Sequence, residues 1–121
     1  MEDSILNSVK KRIGYSSDYD AFDEDIIQAI NSSFSTLTQI GVGPTSGYRI
    51  TGATETWSDY LNGIGYIDCV KDYVYLKVRH VFDPPASSSV MQSIENQIKE
   101  LEWRINVAVE TTVEEGEDEE E

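Results

Sequence analysis

The chain has 121 residues, 39% hydrophobic and 26% charged, with a net charge of −14. This length suits one domain with one modest core, and no apolar run nears the ~20 residues that a membrane helix requires. The charge argues against tight phosphate binding or docking on anionic lipid, because both depend on Lys and Arg.

Half of the charge sits at the end. Glu114, Glu115, Glu117, Asp118, Glu119, Glu120 and Glu121 are seven acids in the last eight residues, which leaves the body at −7. Such a run repels itself and stays solvated. Met1, Glu2 and Asp3 show no basic-then-apolar signal segment, so synthesis in a cytoplasm is expected. Cys69 is the single cysteine, which excludes an internal disulfide and a paired-cysteine zinc site. It is expected to be a buried structural thiol.

In chain order, Ile5, Leu6, Val9 and Ile13 mark the apolar face of a first short helix starting after Asp3 or Ser4. Lys10, Lys11 and Arg12 fill its last turn, where positive charge opposes the helix dipole, and Gly14 closes it. A polar connection follows. A longer helix is expected from Asp20 or Ala21, with Asp23, Glu24 and Asp25 in its first turn. Ile26, Ile27, Ile30, Phe34 and Leu37 form its buried stripe, and Gly41 ends it.

The stretch from Gly41 to Glu55 reads as a long loop, rich in Gly, Ser and Thr. Loops of this length are commonly functional or mobile, and an extended turn around Tyr48-Arg49-Ile50 or a two-stranded excursion would each fit. The loop is expected to be mobile in the free subunit. Thr56 with Asp59 reads as a capped start for a short helix carrying Trp57, Tyr60 and Leu61, broken by Asn62-Gly63. From Tyr66 to Val81, Val74, Leu76 and Val78 alternate like a strand. Yet Ile67, Val70, Val74, Val78 and Val81 keep helical spacing throughout, and the length favours helix. Asp83-Pro84-Pro85 is a stop.

The last helix has N-cap candidates in Ser87, Ser88 and Ser89, and Ser89 with Gln92 fits a capping box. Ile94, Ile98, Leu101 and Ile105 form its stripe. Glu95 with Lys99, and Glu100 with Arg104, are spaced for exposed ion pairs. The fold expected is therefore mainly α: a small bundle of four to five helices over 1–109, one long Gly-rich loop, and a disordered acidic tail over 110–121.

No catalytic residue, cofactor site or metal site is expected. An EF-hand loop from Asp18 fails, because Phe22, Asp23 and Ala29 occupy positions that require a ligand, Gly and Glu. The Gly-rich loop lacks the Gly-Lys-Ser/Thr of a P-loop. His80, the single His, has no partner at motif spacing and reads as a cap or surface residue. The aromatic residues stand out instead. For Trp57 and Trp103, core packing and a subunit interface are both open, as they are for Tyr60 and Arg104.

The order of elements resembles the head-tail connector (adaptor or head-completion) proteins of long-tailed bacteriophages. The resemblance is carried by Trp57-Ser58-Asp59-Tyr60-Leu61 after the Gly-rich loop and by Val70-Lys71-Asp72-Tyr73-Val74-Tyr75-Leu76-Lys77-Val78-Arg79. It continues through Phe82-Asp83-Pro84-Pro85-Ala86-Ser87-Ser88 and Lys99-Glu100-Leu101-Glu102-Trp103-Arg104-Ile105, and spans most of the chain up to Val109. It implies a helical subunit that self-assembles into a ring, twelve-membered by analogy, beneath the portal protein. The ring would extend the DNA channel and meet a stopper or tail-completion protein. DNA would pass without specific binding, no membrane would be involved, and the protein would reside at the neck of the virion.

By the same resemblance, the loop residues Val42, Gly43, Pro44, Tyr48, Arg49 and Ile50 would line the channel or meet the next neck protein. Val109, Glu110, Thr111, Thr112 and Val113 would contact the portal. The long acidic tail departs from the family pattern. A competing class, an acidic DNA-mimicking inhibitor, draws on overall charge, but half of that charge lies in the tail and not along a rigid face.

Overall fold

The computed structural model describes residues 4–16, 18–44, 46–61, 65–82 and 86–120, with side chains described as far as Thr111. Among the described residues the chain is mainly α, with five helices: α1 (Ile5–Arg12), α2 (Asp23–Ile40), α3 (Trp57–Tyr60), α4 (Ile67–Phe82) and α5 (Ser88–Glu120). The segment Tyr66 to Val81, which alternates like a strand in part, is helical, as its full-length spacing predicts. Helix α4 lies at the centre, packed along α2 on one side and α5 on the other, with α1 laid against α2 and α4.

Ser4 caps α1 by accepting the Asn7 N–H at 3.2 Å, and Gly14 leaves the helix at φ 98°. Ile5, Leu6 and Val9 are buried. Lys10 sits in the last turn of α1, as its sequence position predicts, and the fold also encloses it. It is 1% exposed, with its ammonium 2.8 Å from Asp23 Oδ1. That contact joins the end of α1 to the first turn of α2.

Helix α2 starts at Asp23, later than Asp20 or Ala21. The connection before it is occupied by a turn from Asp20 to Asp23 and by an aromatic cluster of Tyr15, Tyr19, Phe22 and Phe82. Gly41, at φ 111°, ends α2, with its N–H on the Leu37 and Thr38 carbonyls. A Cβ on Gly41 would stand 3.0 Å from Val109 Cγ1, so the last turn of α2 is held against α5 there.

The long loop has more apolar anchorage than its composition suggests. Val42 and Ile50 are buried, and the Tyr48 ring stacks on Tyr60 with centroids 4.9 Å apart. Asn31, buried on α2, donates from Nδ2 to the Ile50 carbonyl at 3.0 Å and accepts the Ile50 N–H at 2.8 Å. The side chain thus satisfies both backbone groups that a neighbouring strand would have taken. No strand forms among the described residues, and one isolated bridge links Ser4 to Thr56. The capping box at α3 is present: Thr56 Oγ1 accepts the Asp59 N–H, and Asp59 accepts the Thr56 N–H.

At α5 the capping box of Ser89 and Gln92 is not formed. The helix already begins at Ser88; Ser87 Oγ accepts the Val90 N–H at 3.4 Å, and the Gln92 amide reaches Asn96 instead. Ile94, Ile98 and Ile105 are buried, and Leu101 is half-buried at the edge. Glu95 pairs with His80 at 3.1 Å, while Glu100 meets Arg104 at 3.6 Å. Glu110 and Thr111, assigned by composition to the tail, belong to α5. The expected breaks at Asn62-Gly63 and Asp83-Pro84-Pro85 lie outside the described residues, as do the side chains of the acidic tail beyond Thr111.

Candidate interaction surfaces

The polar groups of the described chain converge on no chemical centre. Among the described residues, no group of three or more His, Cys, Asp or Glu could hold a metal, and no helix is long and apolar enough to cross a membrane. Cys69 is half-buried and packed against the core, less enclosed than expected. His80 is a partly exposed partner of Glu95.

The residues singled out from sequence divide sharply between core and surface. In the loop, Val42 and Ile50 are core, Tyr48 is half-buried, and Gly43, Pro44 and Arg49 remain on the outside. Gly43 has φ 79°, and a Cβ there would meet Tyr60 Cε1 at 2.8 Å. Burial, with Asp59 and Glu55 nearby, pushes the Tyr48 hydroxyl pKa up. Glu55 is lowered. Some desolvation opposes this, but hydrogen bonds from the Thr51 N–H, the Thr51 hydroxyl and the Gly52 N–H favour its charged form.

Trp57 and Tyr60 are core residues. The Trp57 indole N–H donates to Ser8 Oγ at 2.9 Å, and its ring meets Phe34 edge-on. The Tyr60 hydroxyl is buried without a hydrogen-bond partner, and burial raises its pKa strongly. Trp103 is the opposite case, 66% exposed on α5, with Val107 exposed one turn further on. Arg104 is exposed beside them. Of the five residues assigned to a partner at the chain's end, Val109 packs against this subunit's own core, Glu110 and Thr111 are exposed, and the side chains of Thr112 and Val113 lie outside the described residues.

Two features were not anticipated. Asn31 sits among the α2 apolar residues Ile27, Ile30 and Phe34, a position where a polar residue signals a buried hydrogen-bonding task. The second is an open groove of about 780 Å³ between α1, α3 and α4. Lys11, Arg12 and Lys71 reach it together with Tyr15, Trp57 and Tyr75. The Arg12 guanidinium lies 4.1 Å over the Tyr75 ring and 3.0 Å from Asp72, while Lys71 stands 5.8 Å from the Trp57 ring centroid. Three of nine basic residues in an acidic chain thus gather on one aromatic-lined surface.

The described residues thus form a small all-α domain with aromatic residues in its core and with Trp103 and the basic groove displayed outside. The model of the phage connector protein family matches residues 5–112, and the chain belongs to that family. It is on that ground a structural component of a phage virion. No curated protein and no solved structure matches the chain.

Proposed function

We propose that the protein is a neck component that assembles as a ring beneath the portal vertex, extends the DNA channel and joins the head to a stopper or tail-completion protein. The observation that carries this reading is the family match over residues 5–112, which takes in α1 to α4 and most of α5. Its acidic balance favours a conduit, since negative walls repel DNA phosphates and let the duplex slide. Twelve subunits is the number the resemblance suggests. The portal would be met at the far end of α5 from Thr111 onward, because Val109 is already engaged within the subunit and Glu110 lies on the exposed face shared with Trp103 and Val107. Gly43, Pro44 and Arg49, which are exposed, are the loop residues that would meet the channel or the next neck protein. Catalysis has no part in this role.

The test is light scattering of the purified protein, alone and mixed with portal protein, followed by electron microscopy of any complex. A ring-shaped complex on the portal is expected. A chain that neither self-associates nor binds the portal would overturn the proposal.

A further inference from the structure

We infer that the basic, aromatic groove of α1, α3 and α4 receives the outer face of α5 from a second copy of this chain. The inference rests on the ring reading and specifies its subunit contact. The outer face of α5 carries Glu100, Trp103, Val107 and Glu110 at helical spacing, opposite the buried stripe of Ile94, Ile98 and Ile105. The four residues cover roughly 15 Å of helix at 1.5 Å per residue. Two apolar side chains lie between two acids. Trp103 at 66% and Val107 at 40% are among the most exposed large apolar side chains of the described chain.

The groove offers the complement. Its walls are aromatic, through Trp57 and Tyr75, and its cations are Lys11, Arg12 and Lys71. Arg12 already holds Asp72, so Lys11 and Lys71 are the cations available to acids from outside. A Trp inserted into such a groove is the kind of buried aromatic anchor that dominates interface energies, and charges at its rim set register and speed of encounter. Glu100 is drawn to Arg104 within its own helix at 3.6 Å, a long exposed contact that a stronger partner can replace.

Placement favours a second copy over a contact within one chain. Helices α1 and α5 each lie against the α2–α4 pair and share at most a marginal contact with each other. Groove and stripe are therefore different patches on different sides of one subunit. Their pairing is head-to-tail, and repeated head-to-tail contacts close into a ring when the rotation allows.

A complementation experiment tests this on the full chain. One variant carries Lys11→Glu and Lys71→Glu and loses the groove; the other carries Trp103→Asp and loses the stripe. The altered positions are exposed or half-exposed, and circular dichroism checks that both variants fold. At concentrations where the unaltered protein assembles, alone or on portal, each variant is expected to associate at least roughly thirtyfold more weakly, the loss typical of a hot-spot residue. Mixed in equal amounts, they should form a discrete dimer and stop, because one intact groove meets one intact stripe and the remaining faces are dead. Mixed variants that stay monomeric, or variants that still assemble alone, would refute this contact while leaving the ring reading standing. An unaltered protein that assembles neither alone nor on portal would refute both.

Discussion

Asn31→Ala removes the side chain that holds the long loop on α2. In the native chain that amide makes two buried hydrogen bonds with Ile50, at 3.0 and 2.8 Å, and Asn31 is 5% exposed. The substitution leaves the Ile50 N–H and carbonyl without their partner. A buried polar group deprived of its partner costs ~1–3 kcal/mol, so two cost ~2–6 kcal/mol, less whatever water entering the gap restores. A domain of this size lies between the ~4–8 °C per kcal/mol of smaller domains and the ~2–4 °C of larger ones, so at ~4 °C per kcal/mol a fall of roughly 8–24 °C is expected. Urea and thermal unfolding followed by circular dichroism measure the loss, and amide exchange at Ile50 shows where it originates. Asn31→Asp is a useful companion: it can still accept from Ile50 N–H but cannot donate to the carbonyl, and it adds a buried charge. If Asn31→Ala unfolds within ~0.5 kcal/mol of the native chain and the Ile50 amide stays protected, the loop is held by its apolar residues and the reasoning fails.

Further expectations concern the core, an unsatisfied hydroxyl and acid. Ile105→Ala, at a fully buried site, should destabilise by ~2–5 kcal/mol, and Leu101→Ala, at a half-buried one, by clearly less; equal losses in denaturant melts would contradict the burial pattern. Tyr60→Phe should leave Tm unchanged or raise it, because the hydroxyl it removes is buried without a partner. A loss of more than ~1 kcal/mol in the same melts would mean that the hydroxyl has a partner in solution. Glu55 has a folded pKa below its ordinary value of 4.5, so its contribution is complete above that value and fades as pH falls through the lower folded one. NMR of the Thr51 and Gly52 amides from pH 6 downward should show their hydrogen bonds weakening below roughly pH 4.5, and in Glu55→Gln that transition should disappear.

The helices were legible because their signals are local. The spacing of Ile94, Ile98 and Ile105 predicts the buried side of α5, and the Thr56–Asp59 pair predicts its own hydrogen bonds, since both depend on residues three or four apart. The start of α2 was not, because Tyr15 and Phe22 pack with Phe82 from a distant helix, and that contact decides how the connection runs. The enclosure of Lys10 was not legible for a similar reason: its role at a helix end is local, but its burial beside Asp23 is tertiary. Trp57 and Trp103 carry the same chemistry and opposite fates. Which of them faces outward follows from how α3 and α5 are rotated against their neighbours, and residue type is silent on that. The groove is legible least of all, since Lys11 and Lys71 are sixty positions apart and meet only in the fold.

The meeting of Gly41 with Val109 has a mechanical consequence. A load applied along α5 toward its C-terminal end reaches the folded body first where Val109 bears on the last turn of α2. That turn leads directly into Val42 and the long loop, whose Tyr48 ring is stacked on Tyr60. Packed interiors are nearly incompressible and pass displacement on to their neighbours. The C-terminal half of α5 and the root of the loop are thus joined by a short, stiff contact through the side of one helix.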